Sequence, residues 1–254
     1  MKHIFLLFIL TTLLLPGCGR KGKLIPPEAL FPAAVADLAA QQKGARFLVS
    51  WTPPAKEVSG RALREPTGFA LYRREVLPPA EDCEECPSAY TLVRENSPGY
   101  RQGARLVGGR LYVDDADVAA GKTYQYKVVS VLADGATSPP SNRARHRLMP
   151  PSAPPLLQGT SSTVSVVLTW APVSPPADTT LVGYNVYRCR EGEEFSPQPL
   201  NSTPVTEGRY EDQRVERGVG YRYAVRSVIK AAGESAESAL SNEIRLALSD
   251  ADPT

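Results

Sequence analysis

The sequence predicts an all-β protein of two tandem β-sandwiches that follow a short N-terminal targeting segment. The chain has 254 residues with 24 Pro and 19 Gly, and it shows no long helical periodicity. This composition suits two domains of about 100 residues each. A set of strand-like landmarks occurs twice in the same order, which indicates a structural repeat. The apolar N-terminal stretch is shorter than the roughly 20 residues needed to cross a bilayer.

The strongest part of the repeat is a pair of segments with alternating tyrosines, residues 121–128 and 218–225. In each segment two tyrosines stand two positions apart and are followed in phase by Val and Ser, which is the period of a β-strand. A tyrosine that follows a glycine turn at the start of a late strand is typical of a tyrosine corner. There the ring enters the core and the hydroxyl bonds nearby backbone. We therefore predict tyrosine corners at Tyr124 and Tyr221.

Four further landmarks occur in the same order in both repeats. They are a strand ending in tryptophan, a strand beginning Gly-aromatic, a short acidic-ended segment and a Ser-x-x-Ser-Asn sequence. Their positions are 47–51 and 166–170, 68–73 and 183–188, 111–114 and 209–212, and 138–142 and 238–242. Trp51 and Trp170 are predicted core residues. The alignment pairs Asp114 with Asp212.

This landmark order resembles the fibronectin type III domain, an immunoglobulin-like sandwich, over about residues 33–248. The resemblance implies two tandem domains of that fold, and such domains are mostly structural or recognition modules, so it implies a fold and not a chemistry. The predicted organisation has six parts: signal peptide 1–17, tether 18–32, first domain 33–148, proline-rich linker 149–155, second domain 156–248 and disordered tail 249–254.

Residues 1–17 have the composition of a secretory signal, with Lys2 followed by about a dozen mostly apolar residues. The segment ends in Leu-Pro-Gly before Cys18 and resembles a bacterial lipobox, where cleavage precedes the cysteine and the thiol carries a diacylglycerol. The resemblance implies a lipoprotein whose acyl chains, such as palmitate, on Cys18 anchor it stably. The alternative is an ordinary secretory signal with an incidental cysteine. Gly19, rather than Asp, after the cysteine favours the outer membrane.

Residues 18–27 resemble the start of the small outer-membrane lipoprotein that assists maturation of the lipopolysaccharide translocon. The resemblance implies a role in assembling an outer-membrane β-barrel. It makes Gly19, Lys21, Gly22 and Leu24 candidate partner contacts. The alternative is a basic, proline-stiffened tether lying beside anionic lipid headgroups.

The two repeats differ most after their third strand. Tyr72 and Asp114 are 42 positions apart, whereas Tyr187 and Asp212 are 25 apart, so the first domain carries 17 extra residues. Loops on a rigid sandwich often carry recognition, and we expect this enlarged side to be a contact surface. A tolerated loop insertion, which costs little in closure entropy, is the alternative.

Cys83 and Cys86 lie in this insert, and in an oxidising periplasm their spacing predicts a small local disulfide. Redox catalysis would need these cysteines at a helix N-terminus in a βαβ unit. Haem attachment would need a histidine after the second cysteine, and zinc would need four ligands; the sequence offers none of these. Cys189 is left over, either free or paired between molecules.

Three expectations concern the connecting segments. Residues 28–40 are expected to supply the first strand of the first domain. The linker is expected to form polyproline II and to hold the domains apart as a stalk. His146 lies in a basic run on the last strand of the first domain and is expected to be exposed to solvent.

No catalytic or metal-binding motif is present in the sequence. Asp114, Asp115 and Asp117 could suggest calcium, but the second repeat lacks the acidic neighbours, which favours a turn. The formal charge of +2, reduced to +1 when Lys2 is removed, argues against a nucleic-acid partner.

We therefore predict a non-enzymatic binding or scaffolding module, anchored at the outer membrane by lipid and without a metal or other cofactor. Its expected partner is an envelope protein or a surface polymer. The alternatives are an assembly factor for an outer-membrane barrel, such as the lipopolysaccharide translocon, and a carbohydrate- or polymer-binding accessory protein. Periplasmic and surface orientations both stay open.

Overall fold

The computed structural model describes residues 26–249, and within this range the chain is almost entirely β-structure. The first half contains β1 Ala39–Lys43, β2 Arg46–Trp51, β3 Gly68–Glu75, β4 Thr91–Asn96, β5 Ala104–Val107, β6 Arg110–Asp115, β7 Thr123–Val131 and β8 Ala144–Arg147. The second half contains β9 Leu157–Ser161, β10 Val166–Trp170, β11 Thr180–Arg190, β12 Arg209–Asp212, β13 Tyr221–Ala231, β14 Glu234–Glu237 and β15 Ile244–Leu246. Short 3₁₀ turns occur at Pro27–Leu30 and Pro87–Ala89.

The first sandwich packs the strands β1-β2-β6-β5 against the strands β4-β3-β7-β8. Alternate residues of each strand point inward, so that Phe47, Val49 and Trp51 of β2 are all buried. The Trp51 ring meets Phe69 edge-on, with ring centroids 5.0 Å apart. Burial of each large apolar side chain contributes about 1.5–3 kcal/mol to folding, and this core holds the two sheets together.

The second sandwich repeats this plan. It packs β12-β10-β9 against β11 and β13, with β15 paired to β13. Trp170 occupies the place of Trp51 and meets Tyr184 edge-on at 5.3 Å. The predicted fold class is therefore confirmed: the chain is all-β and forms two immunoglobulin-like sandwiches.

An asparagine before the last strand closes each sandwich in the same way. The Asn142 amide accepts a hydrogen bond from Leu38 N at 2.9 Å and donates one to Leu38 O at 2.9 Å. Asn242 makes the same pair of bonds with Leu157, at 2.8 and 2.9 Å. The Ser-Asn landmark therefore ties the last strand to the start of the first.

The first strand begins later than expected, at Ala39 rather than near residue 28. Prolines at 26, 27 and 32 have no N–H to donate to a ladder, and residues Pro27–Leu30 form a 3₁₀ turn instead. The segment still contributes to the core, because Val35 and Leu38 are buried in it.

The strand register also corrects the alignment of the acidic segment. Phe47 pairs with Asp115, and its counterpart Val166 pairs with Asp212, so Asp115 and not Asp114 is the equivalent of Asp212. Arg73 Nη1 donates to Asp115 at 2.7 and 2.9 Å, and the Tyr126 hydroxyl donates to it at 2.8 Å.

The second sandwich carries the same triad. Arg188 and the Tyr223 hydroxyl donate to Asp212 at 2.6 and 3.0 Å. Each domain therefore has the same group of hydrogen-bonded Arg, Asp and Tyr side chains.

The corrected alignment also changes the length of the insert. Tyr72 and Asp115 are 43 positions apart, whereas Tyr187 and Asp212 are 25 apart, so the insert has 18 residues.

The two sandwiches share one sheet, contrary to the expected stalk. Strand β1 pairs in parallel with β14, with Gln42 opposite Ala236 and Lys43 opposite Glu237. The described part of the chain therefore contains an eight-stranded sheet that runs through both domains. Within it, Lys43 Nζ lies 2.6 Å from Glu237.

The linker packs into this junction and does not hold the domains apart. Met149 is buried with Ile229 and Ala236, and its backbone N–H and C=O both bond the Gln42 amide, at 2.9 and 2.7 Å. The expectation of an exposed His146 is also wrong. Its ring is buried, with Nε2 3.0 Å from Ser235 O, because the second sandwich packs over the last strand of the first.

Candidate functional site

The insert of the first domain builds three features: a disulfide-closed loop, strand β4 and strand β5. Strand β4 adds to the edge of β3, while β5 adds to β6 in the opposite sheet. The loop between β3 and β4 folds back over the outer face of the sheet β4-β3-β7-β8. The insert therefore widens the sandwich and partly covers one of its faces.

Cross-strand pairing sets the side chains of this outer face in two rows. Tyr72 pairs with Leu92 on one side and with Lys127 on the other. One pair further along, Arg74 lies opposite Gln125, which in turn lies opposite Arg145. The following list defines the surface that we call the Tyr90 face: Tyr72, Arg74, Tyr90, Lys127, Arg143 and Arg145.

Arg74 is the most buried cation of the Tyr90 face, with 2% of its surface exposed. Its guanidinium donates to both carboxylate oxygens of Asp82, at 2.5 and 3.1 Å. These bonds hold the pKa of the Asp82 carboxyl below its usual value. Asp82 also accepts a hydrogen bond from the Leu77 N–H at 3.0 Å. The Asp82 carboxylate therefore attaches the loop to the sheet and also closes the turn between Leu77 and Asp82.

A second acidic residue of the loop reaches the next strand. Gln125 Nε2 donates to Glu84 at 2.9 Å and to the Tyr90 hydroxyl at 2.9 Å, and Arg145 donates to the Gln125 carbonyl oxygen at 3.0 Å. Asp82 comes directly before the Cys83–Cys86 disulfide, whose Cα atoms lie 5.4 Å apart, and Glu84 lies inside the loop that the disulfide closes. The loop is thus held by both covalent and ionic contacts.

Three cations surround the ring of Tyr90. Lys127 Nζ lies 3.6 Å from its centroid, and the guanidinium carbons of Arg74 and Arg143 each lie 5.9 Å away. Cation–π attraction of this kind contributes about 0.5–2 kcal/mol. Burial, together with the nearby Arg143 charge, lowers the pKa of Lys127.

The four cations of the Tyr90 face are not all paired with loop carboxylates: Arg74 lies in ion-pair distance of Asp82 and Glu84, and Arg143 of Glu84. The buried Nε atoms of Arg74 and Arg143 have no hydrogen-bond partner among the described residues. Among residues 26–249, Lys127 and Arg145 have no carboxylate within 4.0 Å, although Glu85 acts on Lys127 and Asp82 on Arg145 from further away. The Tyr90 face therefore offers two cations without a direct carboxylate partner beside two tyrosine rings, an arrangement that can accept an acidic group.

The corresponding face of the second sandwich is used differently. Tyr187, the counterpart of Tyr72, lies opposite Ala224, whereas Tyr72 lies opposite Lys127. The Tyr187 hydroxyl is buried in the domain junction, where it accepts a bond from Lys43 at 2.8 Å and donates one to Glu237 at 2.7 Å. One face of the repeat therefore joins the two domains, whereas its copy in the first domain is partly covered by the insert loop.

The structural residues predicted from the sequence lie in the two cores. The Tyr124 hydroxyl accepts the Ala119 N–H at 2.9 Å, and the Tyr221 hydroxyl accepts the Glu216 N–H at 3.4 Å, each five residues upstream. Trp51 and Trp170 are buried.

The remaining predicted residues fall in different places. Cys189 is buried and unpaired among the described cysteines, and burial raises the pKa of its thiol. The lipidation residue and the candidate partner contacts lie outside the described residues: Cys18, Gly19, Lys21, Gly22 and Leu24.

The sequence predicted a contact surface on the insert but did not indicate which residues outside the insert lie beside it. Lys127 belongs to β7 and Arg143 directly precedes β8, and only folding brings them beside Tyr90. One signal was available, since Lys127 in the first tyrosine repeat replaces Ala224 in the second.

Two searches for other kinds of site found nothing in residues 26–249. No cluster of three or more His, Cys, Asp or Glu side chains there is arranged to hold a metal ion. No helix of that segment has the length and hydrophobicity needed to cross a membrane.

Comparison with known proteins gives a limited result. No family model and no curated protein matches the chain. Among solved structures, it is similar to the FN1–FN3 domains of chicken CNTN1, with 16% sequence identity and a TM-score of 0.36. The similarity covers 85% of this chain and 67% of that one. The fold described above rests on the strand pairing of the chain itself.

Proposed function

We propose that the protein is a non-enzymatic binding module of the bacterial cell envelope, held at the outer membrane by a lipid on Cys18, and that it meets its partner through the Tyr90 face. The observation that carries the proposal is the placement of Lys127, Arg143 and Arg74 around the Tyr90 ring on an outer sheet face. On the equivalent face of the second sandwich, the cations over a tyrosine ring are Lys43 and Arg226 over Tyr187, and there they lie at the junction of the two domains.

The shared sheet supports the proposal. With β1 paired to β14 and Lys43 bonded across the junction, the two domains present the Tyr90 face at a fixed orientation. A rigid presenting surface reduces the entropy lost on binding.

The proposed partner has acidic groups, because Lys127 beneath the Tyr90 ring and the exposed Arg145 have no carboxylate within 4.0 Å among residues 26–249. The loop itself contributes four carboxylates, listed here: Glu81, Asp82, Glu84 and Glu85. These repel an acidic partner from the loop side and direct it toward Tyr72 and Leu92.

A carbohydrate or other polymer is the second candidate partner, favoured by the half-buried rings of Tyr72 and Tyr90 on the same face. Tyrosine rings on a sheet offer flat apolar surfaces with polar edges, which suit sugar rings. An acidic polysaccharide would satisfy both the rings and the cations.

The experiment is a crosslinked pull-down from membranes with partners identified by mass spectrometry. The double variant Lys127→Gln/Arg143→Gln is compared with the matched control Arg190→Gln/Lys230→Gln, whose residues are exposed on the second sandwich. We expect the first variant to lose the partner and the control to keep it. Equal recovery with both variants would overturn the proposal.

The same experiment tests the assembly role suggested by residues 18–27. Recovery of translocon components that survives the Tyr90-face variant, and that disappears when residues 19–27 are replaced, would assign the function to the N-terminal motif instead.

A further inference from the structure

A concavity that is separate from the Tyr90 face lies between the two domains. It has a volume of about 190 Å³. We call it the junction pocket and define it by six lining residues: Lys43, Arg46, Arg105, Tyr187, Phe195 and Arg226. The first three belong to the first sandwich and the last three to the second. The pocket therefore exists only while the two domains are packed together.

Positive charge dominates the pocket. Four of its lining residues are cations, whereas Asp114 is the carboxylate among the lining residues. Asp114 is already shared by two of them, with Arg46 Nε at 3.2 Å and Arg105 Nη2 at 3.6 Å. Arg105 Nη1 in addition lies 3.6 Å from Glu194, which is 81% exposed, and donates to Phe195 O at 3.3 Å. The two guanidinium groups have ten N–H donors, more than these acceptors use, so donors remain for a further anion.

The two buried cations are also incompletely satisfied. The Lys43 ammonium has three N–H groups, and two of them bond Tyr187 at 2.8 Å and Glu237 at 2.6 Å. Arg226 donates through Nη1 to Ser238 O at 2.6 Å, and its Nε lies 3.6 Å from the same Glu237. The single carboxylate of Glu237 is therefore shared by both cations.

The pKa values of Lys43 and Arg226 are both lowered. Burial lowers the pKa of Lys43, and the neighbouring Arg226 lowers it further, against the opposing effect of Glu237. Burial likewise lowers the pKa of Arg226, and Arg46 adds to that effect. A bound anion would remove part of this cost of holding both cations charged.

The rest of the wall is apolar. Phe195 stands at one side, with Leu48 and Leu240 also lining the cavity. The Phe195 ring is held in place by Arg222, whose guanidinium carbon lies 5.3 Å from the ring centroid. The pocket is smaller than the roughly 300–1,000 Å³ of sites for drug-sized ligands, so its occupant has about the size of one amino acid.

We infer that the junction pocket binds a carboxylate attached to an apolar body of that size, with the carboxylate between Lys43, Arg226 and Arg105 and the body against Phe195 and Leu48. Arginine fork geometry and a lysine donor fit a carboxylate. A bound ligand contacts both domains and stabilises their packing. This site is independent of the Tyr90 face.

Two sources present this chemistry: a free carboxylic acid and the C-terminal carboxylate of a peptide chain. The probes are N-acetyl-L-phenylalanine, its neutral amide as the matched control, and the peptide Ala-Ala-Ala-Phe with a free C-terminus. Binding to the full mature chain in detergent is measured by isothermal titration calorimetry.

We expect the acid to bind at least tenfold more tightly than the amide. Binding of the tetrapeptide as well as the acid assigns the site to chain termini. Binding of the short acid alone assigns it to free acids. Equal binding of acid and amide, or no binding of either, overturns the inference.

Two variants test the residues. Arg226→Gln removes a buried cation, and Arg105→Gln removes a cation at the rim that is 35% exposed and tolerates substitution more easily. Each is expected to weaken binding of the acid at least fivefold, while Arg190→Gln, whose side chain pairs with Glu216 and does not line the pocket, leaves it unchanged. Unaltered binding in a folded Arg105→Gln protein contradicts the inference even where Arg226→Gln fails to fold.

Discussion

Lys43 of the first sandwich and Glu237 of the second form a buried ion pair with an N–O distance of 2.6 Å, in strands that pair in parallel across the domain boundary. Glu237 is bonded in addition by the Tyr187 hydroxyl and by Asn185, at 2.7 Å each. The pair therefore lies in a buried polar network in which Glu237 accepts from three side chains, and it joins the two domains.

Removal of the lysine should destabilise the whole protein. In Lys43→Met the carboxylate of Glu237 stays buried, and we expect a loss of about 3 kcal/mol, since breaking a buried pair costs about 3–5 kcal/mol and Glu237 retains other donors. Chemical denaturation measures the loss. The control Arg190→Gln breaks an exposed pair with Glu216 and should change stability by less than about 1 kcal/mol. Equal effects of both changes would show that the junction is not a stabilising contact.

The sequence predicted the fold well because its signals are local. Three of these signals each specify a strand or its end within a few positions. They are the alternation of tyrosines with other residues in 121–128, the glycine turn before Tyr124 and the Ser-Asn landmark. The joined sheet was missed because Lys43 and Glu237 are 194 positions apart, and no periodicity marks either as a partner of the other. The proline-rich linker was misjudged for the same reason, since the burial of Met149 depends on residues of the second domain.

The residues of the candidate surface could be predicted only in part. The length difference between the repeats identified the enlarged side, but a cation such as Arg143 joins the Tyr90 face only through pairing of β7 with its neighbours. The side chains of the Tyr90 face come from three strands and from residues just before β4 and β8, so they form no contiguous motif in the sequence.

Alkaline pH should unfold the protein through its buried tyrosines. Burial, and then the neighbouring Asp115 charge, raises the pKa of Tyr126 above its ordinary value of 10.0, and Tyr187 and Tyr223 are raised in the same way. Above pH 10 the folded chain therefore holds more protons than the unfolded chain, so stability present below pH 10 is lost as the pH rises.

In Tyr126→Phe the free energy of unfolding should decline less steeply above pH 10 than in the wild type, although the lost hydrogen bond costs about 1 kcal/mol at neutral pH. Tyrosinate absorbance and circular dichroism are followed together. Ionisation of all tyrosines near pH 10 with the fold intact would contradict this prediction.

The disulfide should act locally. Its two cysteines are three positions apart, and closing so short a loop stabilises a protein by about 2 kcal/mol or less. In Cys83→Ser/Cys86→Ser we expect faster hydrogen exchange at Leu77, whose N–H bonds Asp82, while the Glu216 N–H at the second tyrosine corner is unaffected. Faster exchange at both sites would indicate a global role for the disulfide.

The lipid anchor is tested by Cys18→Ser. Wild-type protein should sediment with membranes and leave them only with detergent, because acyl chains contribute about 0.8 kcal/mol for each buried methylene. The variant should appear in the soluble periplasmic fraction. Equal membrane recovery of both proteins would contradict a lipid anchor on Cys18.

The most direct test of the account is site-specific photocrosslinking in intact cells. A photoreactive side chain replaces Leu92, which is 49% exposed beside Tyr72, and in a separate protein it replaces Val164, which is 68% exposed at the far end of the second sandwich. We predict a discrete crosslinked product from position 92 and none from position 164. No product from position 92, or the same product from both positions, would contradict a role for the Tyr90 face in binding.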